Sequence, residues 1–173
     1  MDVRAPADPP DVRRPRFAWA GYAACAWALA FALLSFYWAA GGMIGVKTLS
    51  TDLRHDAEVR SAGFVALVWA TGVLKVGAGL LALALVQRWG SRVPRRLLLV
   101  VGWGTGALLT LYGGMGLVSA AVGELGIVES IDPSTVRWYL LLWEPYWVLG
   151  GLLFLAAAWH FRQSSPPVAA GRG

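Results

Sequence analysis

The sequence predicts an all-α integral membrane protein, a bundle of four spanning helices with both termini on the cytoplasmic side. Three observations predict it. The 173-residue chain is 57% hydrophobic and 14% charged, against about 25% charged residues in a soluble domain. Four apolar runs each exceed the ~20 residues needed to cross ~30 Å of hydrocarbon. Lys and Arg lie beside those runs with a strong bias to one side.

In chain order, residues 1–16 carry Pro6, Pro9, Pro10 and Pro15 among Asp and Arg, and read as a disordered cytoplasmic tail. The transmembrane domain is expected over 17–160. Its first span, 17–40, ends at Gly41–Gly42. The run is longer than the 7–15-residue core of a signal peptide, and Ser35-Phe36-Tyr37-Trp38 is too bulky for a cleavage site. It therefore reads as a retained helix. Residues 43–60, with Asp52, Arg54, His55, Asp56, Glu58 and Arg60, read as a polar outer loop. The second span is expected over 62–86, followed by a short basic turn at 87–96. The third span covers 97–118, its helix running on toward Val128. Asp132–Pro133 then marks a helix start, with Asp as N-cap and Pro in the first helical position. The fourth span covers 136–159, and 161–173 is a short tail.

Orientation follows from basic-residue placement. The tails and the 87–96 turn hold ten Lys and Arg residues, while the other loops hold four, namely Lys47, Arg54, Arg60 and Arg137. The excess belongs on the cytoplasmic side. Trp19, Trp89 and Trp159 fall at the inner interface and Trp38 and Trp138 at the outer one, where amphipathic rings prefer to lie.

Several function classes are set aside at once. The net charge of +5 comes from residues that flank apolar runs, a topology signal, so no nucleic-acid partner is expected. Cys25 is the sole cysteine, which removes any intrachain disulfide or thiol-pair chemistry; it reads as a small packing residue. His55 stands in a charge-mixed loop, and a metal site needs several converging ligands with supporting groups behind them; no metal or cofactor is expected. His160 reads as an interface residue. The run Gly102–Gly106 lies inside a span with no strand before it, so it is no nucleotide loop.

Between lipid-immersed helices, close contact depends on small residues. The first span repeats Ala20, Ala24, Ala28 and Ala32 on one face. The second aligns Gly72, Lys75, Gly79 and Ala82; the third has Gly102 and Gly106, with Gly113 further on; the fourth aligns Glu144, Trp147, Gly151 and Ala158. Two small-residue faces thus carry a charge, Lys75 and Glu144. A charge within hydrocarbon costs roughly 2.5–3.5 kcal/mol on insertion scales, so both should face inward and find partners. At ~1.5 Å per residue, Tyr112 and Glu144 reach a similar depth, and Lys75 lies deeper with a side chain long enough to approach them. Pro145 cannot donate to the Leu141 carbonyl and should kink the fourth span beside Glu144. The first expectation is a Lys75–Glu144 ion pair that fixes helix register. The second is a polar centre of Lys75, Glu144, Tyr112 and Pro145 that anchors a ligand or moves a proton. Trp143 and Trp147 flank Glu144 and read as packing rather than as a cage for a cation.

The stretches SFYWAAGG (35–42), TGVLKVGAGLLALAL (71–85), LLTLYGG (108–114) and LLWEPYWVLGGLLFLAAAW (141–159) resemble those of small four-span bacterial membrane proteins grouped as a domain of unknown function. The resemblance runs from about Trp19 to Trp159. Ser35 and Phe36 stand where many relatives carry a more polar residue, often His. The resemblance implies the bundle architecture and a bacterial cytoplasmic membrane, and implies no activity. The residues favour a non-enzymatic multi-pass protein that binds a small or lipidic ligand or serves as an accessory subunit around Lys75 and Glu144. Its expected partners are the lipid bilayer and either further copies of the chain or another membrane protein. A small proton- or ion-coupled transporter is the first alternative. An enzyme on lipid or isoprenoid substrates is the second.

Overall fold

Four helices in the computed structural model are long and apolar enough to cross a membrane, Ala18–Ala39, Ala62–Ala84, Arg95–Gly123 and Thr135–Ser164. The structure describes residues 18–124 and 133–164. The expected tail at 1–16, the stretch 165–173, the continuation from 125 toward Val128 and the Asp132 cap lie outside the described residues. Residues 161–164, expected in the C-terminal tail, instead continue the last helix to Ser164, because nothing before Ser164 breaks it.

The elements run α1 (Ala18–Ala39), α2 (Thr51–Glu58), α3 (Ala62–Ala84), α4 (Arg95–Glu124), α5 (Pro133–Trp138), a π-helical turn (Tyr139–Trp143) and α6 (Glu144–Ser164). Among the described residues there is no strand. The long helices pack in the order α3, α1, α6, α4, so that α1 and α6 form the middle of the bundle and α3 and α4 flank them.

Small residues set that order. Ala20, Ala24, Ala28 and Ala32 are all essentially sealed from solvent, and this stripe lets α1 lie close to its neighbours. The Gly72 side of α3 receives the Phe36 ring, where an added Cβ would come within 2.9 Å of the ring's Cδ1. Gly79 meets Leu29 at ordinary contact distance. Gly102 packs near Leu85 and Ala158, and Gly106 against Leu155. A Cβ on Gly151 would lie 2.6 Å from the Thr110 nitrogen and 2.8 Å from the Gly106 carbonyl oxygen. Backbone cannot swing aside as a side chain can. Gly151→Leu is therefore expected to lower stability by about 1–3 kcal/mol through overpacking, read as the detergent melting midpoint. An unchanged midpoint would mean that α4 and α6 do not pack through this contact.

Three expectations need correction. Residues 43–60 are not an irregular loop: a 3₁₀ turn at Val46–Thr48 leads into α2. Leu53 and Ala57, one turn apart on α2, pack against a cluster containing Trp38, Phe64 and Val68, and Asp52 in the first turn suits the helix N-terminus. Eight residues with two inward apolar positions are too few to stand out beside the charges around them. The basic turn holds a second 3₁₀ segment, Arg88–Arg92. Trp38 is buried rather than interfacial, because its Nε1 donates to the Ile44 carbonyl at 2.8 Å. The other four, Trp19, Trp89, Trp138 and Trp159, are exposed.

The α1–α3 junction is closed by Arg60. Its backbone takes a left-handed φ of 51°, and its guanidinium donates to the Ala39 carbonyl at 3.1 Å, one of the orphan acceptors at the end of α1. Ser61 then caps α3, its hydroxyl accepting from the Phe64 N–H at 3.2 Å.

Candidate functional site

Lys75 sits on α3 facing α1. Its Nζ donates to the Ser35 hydroxyl at 2.8 Å and stands 4.0 Å from the centre of the Phe31 ring. Phe31 and Ser35 are one helical turn apart, so together they offer the ammonium an acceptor and an aromatic face. Ser35 is 1% exposed.

Glu144 sits at the start of α6 and leans the other way, toward α4. It is 6% exposed, and its Oε2 is buried with no hydrogen-bond partner. The carboxylate occupies the space a side chain at Gly116 would fill. The helix is wound to place it there. Pro145 lacks an N–H for the Leu141 carbonyl, and the ladder widens into the π turn, where the Glu144 N–H donates to the Tyr139 carbonyl five residues back. Trp143 in that turn donates from Nε1 to the Thr48 carbonyl and hydroxyl at 3.2 and 3.1 Å, tying it to the 3₁₀ segment above.

The expected Lys75–Glu144 ion pair is not formed. Among the described residues the pair within 4.0 Å is Arg54–Glu58, one turn apart on α2. The physical reason is helix order. α1 lies between α3 and α6, so the Lys75 ammonium reaches Ser35 and Phe31 first, while Glu144 is turned to α4. The two charges instead line one cavity of about 220 Å³, together with Tyr112, Trp143 and Trp147. The expectation that Lys75, Glu144 and Tyr112 converge thus holds for the cavity and fails for direct charge pairing. Tyr112 meets Trp147 edge-on at 5.4 Å between ring centres. Leu67 on α3 and Tyr112 on α4, both more than half exposed, flank the cavity, which places its opening between the two outer helices.

A second cavity of about 270 Å³ lies on the far side of Glu144, lined by Ser50, Gly116, Ser119 and Thr135 among others. Glu144 and Tyr139 line both spaces. Glu144 therefore borders both spaces, and Leu53 of α2 lines the one shared with Lys75.

Of the remaining candidates, His55 is exposed on α2, and among the described residues no three His, Cys, Asp or Glu side chains converge. His160 is buried at the far end of α6, within 3.3 Å of the Ser164 hydroxyl, rather than at an interface. Cys25 is buried in the main apolar cluster. Gly116 and Phe31 are the site residues that sequence reasoning missed. Gly116 is the third glycine of the Gly113-Gly114-Met115-Gly116 run, and nothing in the run marks which glycine faces a carboxylate.

A family model described as a protein of unknown function, DUF3995, matches residues 28–154. No curated protein and no solved structure matches the chain. The chain belongs to the DUF3995 family, and the matched region contains both charges and both cavities.

Proposed function

We propose that this DUF3995 member is a non-enzymatic multi-pass protein of the bacterial cytoplasmic membrane that binds a small zwitterionic group, free or as the head of a lipid. The observation that carries this reading is the buried Glu144 carboxylate, whose Oε2 has no partner, in an aromatic-walled cavity that also holds Lys75. An unpartnered buried polar atom costs about 1–3 kcal/mol, and a ligand ammonium would satisfy it once the carboxylate turns from Gly116 toward the cavity. Trp143, Trp147 and Tyr112 line the cavity with rings whose faces attract a cation. Lys75, held on Ser35 and Phe31, has further donors for the ligand's acid group. The cavity volume lies below the roughly 300–1,000 Å³ of drug-sized sites, which suits a small head. The opening between α3 and α4 is suited to entry from the membrane.

The test is a melting-midpoint screen of the detergent-purified chain against betaine, ethanolamine phosphate and their singly charged analogues. A zwitterion is expected to stabilise more than either analogue. Glu144→Gln is expected to weaken that binding about tenfold, the loss of one charge-assisted hydrogen bond. Equal responses to all compounds, or a Glu144→Gln variant that binds as the parent does, would refute the reading.

A proton- or ion-coupled carrier is a second reading, favoured by one observation: Glu144, an ionisable group inside the bundle, lines both cavities, and such groups mark proton and ion paths. Glu144-dependent flux in proteoliposomes is its expected signature, and an unchanged flux in Glu144→Gln removes it.

A further inference from the structure

The opposite end of the bundle carries a second site. The segment joining α3 to α4 borders, with α6, an open groove of about 490 Å³ lined by Gln87, Arg88, Ser91, Arg92, Arg95 and Phe161. Three guanidinium groups thus border one concave surface. The carboxylates among the described side chains belong to α2 and to the first residue of α6, all at the other end of the helices. None of the three arginines forms an ion pair with a described carboxylate, since the pair found is Arg54–Glu58.

The local fold holds this surface open. Gly90 is buried beneath it, and a Cβ there would run into the Ala84 carbonyl, so the chain can fold back onto the end of α3 only with glycine at that point. The 3₁₀ turn centred on Gly90 sets Arg88 and Arg92 at its two ends. The Ser91 hydroxyl donates to the Arg88 carbonyl at 2.7 Å, and the Arg95 guanidinium donates to the Arg162 carbonyl at 3.2 Å. α4 begins in the same wall at Arg95, with the first N–H groups of a 30-residue helix unsatisfied by its own carbonyls.

From this surface we infer a binding site for the phosphate of an anionic phospholipid. Phosphate oxygens match the planar fork of arginine, two parallel hydrogen bonds at a time. Basic pockets at the ends of spanning helices are suited to anionic head groups. The level is that of the bilayer interface: Trp89 beside the site and Trp159 on α6 are both exposed, and the Arg162 guanidinium stands 5.7 Å from the Trp159 ring. Phe161 and Val93 give the space an apolar wall on which the first acyl carbons can rest. A soluble phosphate would use the arginines and leave that wall bare. The bias in basic residues places this end at the cytoplasmic leaflet, where anionic lipids concentrate.

The experiment titrates the delipidated full chain in neutral detergent with short-chain phosphatidylglycerol, phosphatidylcholine and sodium phosphate, following the melting midpoint. Phosphatidylglycerol is expected to raise it, the other two much less at equal concentration. The Arg88→Gln/Arg92→Gln double variant is expected to need about 25-fold more phosphatidylglycerol, about fivefold for each arginine. Arg54→Gln, at the far end, is expected to titrate as the parent does. An undiminished response in the double variant, or one of equal size with phosphatidylcholine, overturns the site. An equal response to sodium phosphate overturns the lipid as its source. Should the double variant fail to fold, the parent decides: phosphatidylglycerol binding that does not weaken between low and high salt overturns an electrostatic site.

Discussion

Trp27→Ala is expected to destabilise the protein by about 3 kcal/mol or more, read as a fall in the detergent melting midpoint. Trp27 joins the two central helices. Its ring stacks on Tyr146 at 5.1 Å and meets Phe31, Trp147 and Phe154 edge-on at 5.9, 6.1 and 6.5 Å. Its Nε1 donates to the Tyr146 carbonyl, and the Tyr146 hydroxyl donates back to the Trp27 carbonyl, both at 3.0 Å. Lipid offers a freed aromatic ring an environment as apolar as this core, so the transfer part of the loss is smaller than in water. The cavity and the lost hydrogen bonds remain. The ring lies over Gly150, where a Cβ would collide with it. A size swap separates the causes. Gly150→Leu alone should destabilise, and Gly150→Leu added to Trp27→Ala should recover part of the loss by filling the space. Tyr146→Phe should cost about 1 kcal/mol, one hydrogen bond. If Trp27→Ala melts with the parent, the α1–α6 contact does not hold the bundle together.

How much of this was legible follows from the range of each signal. Spans are local: length and hydropathy locate them, and α1 and α3 start and end within two residues of the expected 17–40 and 62–86. The small-residue faces are local too, since residues three and four apart share a helix side, and Ala24, Ala28, Gly72 and Gly151 are all buried as expected. Pro145 announced a disturbed ladder, which takes the form of the π turn. What periodicity cannot supply is which helix neighbours which. Lys75 and Glu144 were both correctly turned inward, yet their partners depended on α1 standing between α3 and α6. Ser35 takes the lysine across 40 residues, and Trp27 and Tyr146 pair across 119. Such contacts depend on how side chains interdigitate between helices, a property of the assembled bundle. The α2 cap was missed for another reason: its apolar face is two residues wide, and its charges hid it.

Lys75→Met and Glu144→Met give the second large effect, and its sign opposes the ion-pair expectation. A paired buried charge loses about 3–5 kcal/mol when one partner is removed, and the double variant regains much of it. The observed geometry predicts otherwise. Glu144→Met removes a buried oxygen that has no partner and is expected to raise stability by about 1–3 kcal/mol. Lys75→Met exchanges the Ser35 hydrogen bond and the Phe31 contact for a side chain of similar length without a charge to desolvate. It should move stability by no more than about 1 kcal/mol. Because the two groups are not paired, their effects should add to within about 0.5 kcal/mol. Melting midpoints of the parent, both single variants and the double variant measure this directly. Two destabilised singles with a recovered double would restore the ion pair and leave the cavity as packing space. Additive effects with a stabilised Glu144→Met would mean that the carboxylate works against its own fold. Its use then lies in what it meets in the cavity, and the zwitterion response should disappear in the same variant whose melting midpoint rises.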